Sequence, residues 1–177
     1  MPPSLLRLAR LIDRVSLWSG SIVAWLIVPM VLSLVYEVVS RYAFNAPTVW
    51  AYDMTYMLYG AFFMLGAAYT LRRGGHIRTD SFYGEWSPRR QGVVDTLCYL
   101  LLFFPPLIVL FWLGLDFFST SYGRGERVVS SPWMPVVYPL KGMIPLACGL
   151  LLLQGLAELL RSLHAAVSGE WPPRQPR

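Results

Sequence analysis

From Val15 to Tyr36 the chain runs for 22 residues without a charge, and that stretch constrains everything around it. A helix rises about 1.5 Å per residue, so about 20 apolar residues cross the roughly 30 Å hydrocarbon core of a bilayer. A run of this length, closed by Arg14 and Glu37, reads as a membrane-spanning helix kinked at Pro29, which such a helix tolerates. It exceeds the apolar region of a signal peptide, and no small-x-small cleavage site follows it, so it reads as a retained span.

Three more runs follow. The second span covers about 49–71, with its core from Met54 to Leu71 and Arg72 and Arg73 closing it. The third, about 94–116, lies between Asp95 and Asp116 and is interrupted at Pro105 and Pro106. The fourth, about 139–160, is the weakest: only Gly142 to Ala157 separates Lys141 from Glu158, so Lys141 would have to snorkel to the interface. Hydrophobic residues are 55% of the chain and charged ones 14%, against about 25% charged in soluble domains. The fold class expected is therefore an all-α integral membrane protein of four transmembrane helices. It forms one domain over 1–168, followed by a flexible tail over 169–177 that carries three prolines.

Basic residues orient the bundle, because short cytoplasmic loops carry an excess of Lys and Arg. Arg7, Arg10 and Arg14 precede the first span. Arg72, Arg73, Arg78, Arg89 and Arg90 follow the second, and Arg161, Arg174 and Arg177 follow the fourth. Only Arg41, Arg124, Arg127 and Lys141 fall on the other side. This asymmetry places both termini and the middle loop in the cytoplasm, and it explains the net charge of +5 without nucleic acid as a partner. Leu5, Leu8 and Ile12 recur at helical spacing opposite Arg7, Arg10 and Arg14, the pattern of an amphipathic helix lying on the membrane surface before the chain turns in. Ser87-Pro88 reads as an N-cap and first helical position. Gly123, Gly125, Pro132, Pro135 and Pro139 set an extracytoplasmic loop before the fourth span, with Trp133 and Tyr138 at the interface.

Chemistry-bearing residues are sparse. Charges near mid-bilayer would mark an ion or substrate path, but Glu37, Asp53, Asp95, Asp116, Lys141 and Glu158 all fall near the expected span ends. Gln154, inside the fourth span, suits a hydrogen bond between helices. His76 in the middle loop and His164 beyond the fourth span are not placed to hold haem between facing helices. Cys98 and Cys148 lie in separate apolar runs without metal or redox spacing. No phosphate loop or nucleophile motif is present, so the expectation is a protein without catalysis and without a cofactor.

The connecting segments carry a family likeness. Arg41-Tyr42-Ala43-Phe44-Asn45-Ala46-Pro47, Trp50 and Asp53 stand at the first turn, and the run from Gly66 to Arg78, including Arg72, Arg73, Gly74, Gly75 and His76, precedes Asp80. Ser87-Pro88-Arg89, Asp95, Gly125-Glu126, Ser130, Trp133, Pro135, Pro139, Lys141, Ile144-Pro145 and Leu153-Gln154-Gly155-Leu156-Ala157 follow in order. Together they resemble the small membrane subunit of tripartite ATP-independent periplasmic transporters, the DctQ-like family. The first turn departs from that pattern in bearing only Asp53 where glutamate is frequent.

The resemblance implies a subunit of the bacterial inner membrane that packs on the stationary scaffold of a large multi-span subunit. In such systems the large subunit holds the substrate and sodium sites, and a periplasmic binding protein delivers the solute, usually an organic acid. It marks Arg41, Asn45, Trp50, Asp53, Trp133 and Lys141 at the outer face, and Arg72, Arg73, His76 and Asp80 at the inner face, as residues of structure or partner contact. Arg41 would pair with Asp53, Lys141 with Asp116 or Glu126, and the arginines after the second span would meet anionic lipid or the large subunit. Two other readings compete: a membrane anchor of a redox complex, and a small transporter that acts alone as an oligomer.

Overall fold

A computed structural model describes residues 3–74 and 83–172 of the chain. The elements are α1 (Pro3–Ala24), α2 (Ile27–Ala43), α3 (Ala51–Arg72), α4 (Pro88–Cys98), a π-helical turn (Tyr99–Phe103), α5 (Phe104–Arg124) and α6 (Tyr138–Ser168). One isolated antiparallel bridge, Arg127 to Val136, is the sole extended pairing among the described residues. Four stretches are long and apolar enough to cross a membrane: Arg7–Ala43, Ala51–Arg72, Pro88–Arg124 and Tyr138–Ser168.

Proline shapes the first stretch. Pro29 has no N–H to give the carbonyl of Trp25, and Val28 N–H bonds that carbonyl instead at 3.1 Å. Trp25 and Leu26 bond back only three residues, to Ile22 and Val23, so the chain leaves the α register between Ala24 and Ile27. Pro105 and Pro106 act likewise farther along, and the π turn at Tyr99–Phe103 takes up the register they disturb before α5 begins.

The residues expected to lie on the membrane surface fall within α1, which runs unbroken from Pro3 to Ala24. Its packed face is Ala9, Ile12, Asp13 and Ser16, while Leu8 and Leu11 stand exposed. Small and polar side chains, rather than the leucines, let α1 approach its neighbours.

α6 is the axis of the bundle and packs on α1, α3, α4 and α5. In its most apolar stretch 44% is buried, against 6% in the stretches containing α1–α2 and α4–α5. Helices in lipid gain little by hiding apolar surface from one another, so they associate through small residues and polar pairs. Gly92 shows the first means: a Cβ there would stand 2.4 Å from the backbone nitrogen of Ala166 and 2.6 Å from the carbonyl of Ser162. At Gly155 a Cβ would meet the Phe103 ring at 2.3 Å, so the π turn seats an aromatic against α6 where there is no side chain.

Helix lengths fix a level in the structure. α3 has 22 residues, about 33 Å at 1.5 Å per residue, enough to cross a hydrocarbon core and little more. Its last residue, Arg72, stands beside Asp13 of α1. Arg7–Ala43 and Pro88–Arg124 have 37 residues each, about 55 Å, so these stretches tilt or project beyond the bilayer.

Candidate interface: polar clusters at the two ends of the bundle

At the level of Arg72 three helices meet through charge. Arg161 on α6 donates from Nη1 to Glu158 Oε1 at 2.6 Å and from Nη2 to Asp13 on α1. Gln154, one turn before Glu158, donates from Nε2 to Asp13 Oδ1 at 3.1 Å and accepts from Ser16 Oγ at 2.7 Å. Arg72 Nε stands 3.9 Å from Asp13 Oδ1. Gln154, Glu158 and Arg161 fall at i, i+4 and i+7 on one stripe of α6, and Asp13 and Ser16 at i and i+3 on α1, which is why the two faces match.

Each member is almost wholly buried: Gln154 0%, Ser16 1%, Glu158 2%, Asp13 4% and Arg161 6% exposed. Two carboxylates face two guanidiniums, so the cluster is formally neutral. Removing one partner from such a buried pair leaves an uncompensated charge and costs about 3–5 kcal/mol. Chemically the arrangement fastens helices, since Glu158 and Asp13 are each held by the Arg161 guanidinium and by the Gln154 amide. Glu158, expected near a span end, and Arg161, counted only among the basic residues after the fourth span, are both buried and paired, together with Asp13, which no sequence feature singles out.

The opposite end holds three smaller groups. Glu37 receives Arg41 Nε at 2.7 Å and the backbone N–H of Thr48 at 2.9 Å, with Thr48 Oγ1 also donating to it. It thereby ties α2 to the turn that follows. Asn45 makes the turn possible with φ of 49°, a left-handed conformation that asparagine tolerates. Trp50 packs against Tyr36, ring centroids 5.6 Å apart.

In the second group Ser131 donates its hydroxyl to Asp53, fastening the loop after α5 to the first turn of α3. Trp133 N–H donates back to Ser131 Oγ at 3.2 Å. In the third, Lys141 Nζ donates to Glu126 and lies 3.7 Å above the Phe117 ring. The Lys141 ammonium is the chief cause that lowers the Glu126 carboxyl below its ordinary 4.5. Loop hydrogen bonds from Val128 to Pro135 and from Val137 to Glu126, both 3.0 Å, complete an ordered hairpin-like turn.

The expected pairing of Arg41 with Asp53 is thus corrected. Glu37 lies one helical turn from Arg41 on the same face and takes the guanidinium, while Asp53 faces the loop instead. Of the two partners weighed for Lys141, the structure selects Glu126. Arg73 lays its guanidinium over the Tyr69 ring, 5.0 Å from the centroid, while Arg72 turns inward. His76 and Asp80 lie outside the described residues.

No curated protein matches the chain. A family profile does: tripartite ATP-independent periplasmic transporters, DctQ component, over residues 30–165. Those residues run from the middle of the first membrane stretch nearly to the end of α6 and include Arg72, Gln154, Glu158 and Arg161 of the buried cluster. By that match, covering well over half of a four-span helical fold, the chain belongs to the DctQ component family of tripartite ATP-independent periplasmic transporters.

Proposed function

We propose that this chain is a non-catalytic small subunit that packs on, and steadies in the bilayer, the stationary scaffold of a large membrane subunit. That larger partner performs sodium-coupled uptake of an organic acid delivered by a periplasmic binding protein. The observation that carries this reading is where the charge sits. The ionised pairs described above gather at the two ends of the bundle and neutralise one another, while α2 and α5 present apolar rows such as Val31, Leu32 and Val35, and Val109, Leu110 and Leu113. Such a body suits fastening within a membrane better than conducting a polar solute through it.

The arginine asymmetry supports an inner-membrane topology with both termini in the cytoplasm, which puts the Asp13–Arg161 cluster on the cytoplasmic side and the Glu37, Asp53 and Glu126 groups on the periplasmic side. Exposed Arg41 and Trp133 are then offered to the extracytoplasmic partners, and Arg73 to lipid headgroups or to the large subunit. Affinity purification of the tagged chain from native membranes in mild detergent tests the reading. A stoichiometric, much larger multi-span polypeptide should accompany it. Recovery of the chain alone, or only with copies of itself, would contradict it.

A further inference from the structure

Leu26, in the helix break between Ala24 and Ile27, lines a groove beside the first turns of α3. Before the break α1 packs on both α3 and α6; beyond it α2 packs on α3. That groove, of about 480 Å³, opens between α3 and α6 and is lined by Leu26, Met54, Met57, Leu58 and Met143. The loop after α5 roofs one end of it, bringing Arg127 and Trp133 to the rim. Four methionines line the groove, and their unbranched side chains adapt to an irregular apolar occupant. One of them, Met134, is held at φ of 49°, a backbone state that a bulky residue rarely adopts.

Arg127 is the one charged residue on this lining. It is exposed, its Nη1 donates to the carbonyl of Met134 at 3.1 Å, and among the described residues it makes no ion pair. By contrast, neighbouring Glu126 and Lys141 satisfy each other. An apolar groove beside the first turns of α3, capped by a guanidinium that has no ion partner among the described residues, is complementary to one class of molecule. We propose that this groove binds a single phospholipid, one acyl chain lying along the methionines and the phosphate on Arg127. A guanidinium suits that headgroup because it offers several donors in one plane to phosphate oxygens. The second large groove, between α5 and α6, is lined by Phe111, Leu115, Phe118, Leu146 and Leu153 with no charged residue, and nothing there selects a headgroup.

Phospholipid retained by the full chain, purified with any subunit that accompanies it and washed extensively in detergent, tests the assignment by mass spectrometry of the intact complex. Wild type should keep one phospholipid per chain. Arg127→Gln should lower its retention about tenfold, the effect of losing one charge-assisted contact. Met57→Trp, which fills the channel, should abolish retention while Arg127 remains. Circular dichroism and elution volume report whether each variant is folded, and Met57→Leu, which preserves volume, serves as the second groove variant and should retain lipid as wild type does. Equal retention by wild type, Arg127→Gln and Met57→Trp would overturn the proposal and assign the lipid to the general annulus. Photo-cross-linking from position 57 to a protein partner rather than to lipid would overturn it as well, by giving the groove to a subunit.

Discussion

Asp13 and Arg161, 148 residues apart in sequence, form an ion pair whose side chains are only 5% and 7% exposed. The first and last helices of the bundle are thereby joined at the level of Arg72, the last residue of α3.

Arg161 serves two carboxylates, so its loss should cost more than the loss of either. Arg161→Met leaves Asp13 and Glu158 close together without their shared cation, and should lower the unfolding free energy in detergent by about 3–5 kcal/mol. Asp13→Asn keeps the shape and a hydrogen-bonding oxygen, and should cost about 1–3 kcal/mol. Denaturant titration followed by circular dichroism gives both values, and the reverse order would show that the cluster is not centred on Arg161.

Glycines at helix contacts should respond oppositely to those facing outward. Gly92→Ala forces a methyl into the backbone of α6 and should destabilise by about 1–3 kcal/mol through displacement of α4. Gly66→Ala on α3 meets nothing within 4 Å and should be neutral or stabilising by up to about 1 kcal/mol. Thermal unfolding of the two variants side by side measures the contrast.

The loop after α5 should loosen in acid. Lys141 lowers the folded-state pKa of Glu126 below 4.5. The unfolded chain therefore takes up the proton first as pH falls, and the pair's contribution is complete above about 4.5 and is lost below it. Protection of the Val128 and Val137 amides, whose N–H groups close the loop, measured as hydrogen exchange relative to the intrinsic rate at each pH, should fall over that range in wild type. In Glu126→Gln the protection should already be low near neutral pH and should lack that acid step.

Each membrane-crossing stretch was legible because an apolar run of this length has few other fates, and the break near Pro29 and the helix start at Pro88 follow from local chemistry. The pairing of Asp13 and Glu158 with Arg161 is hidden for the converse reason. A window along the chain counts them as charges flanking apolar runs, whereas their pairing is set by packing across helices. The signal was present as Gln154, Glu158 and Arg161 at i, i+4 and i+7, a polar stripe on an otherwise apolar helix. Arg41 and Asp53 lie at one turn, which suggests their pairing in sequence, while the nearer Glu37, a helical turn away and at the boundary of the first span, takes the guanidinium.

The role proposed for this chain is to support transport without performing it, and flux into proteoliposomes decides between the two. Vesicles holding the chain with its large membrane partner, supplied with the binding protein, a labelled organic acid and an inward sodium gradient, should accumulate solute, and vesicles holding the chain alone should not. Gradient-driven accumulation by the chain alone would contradict the account.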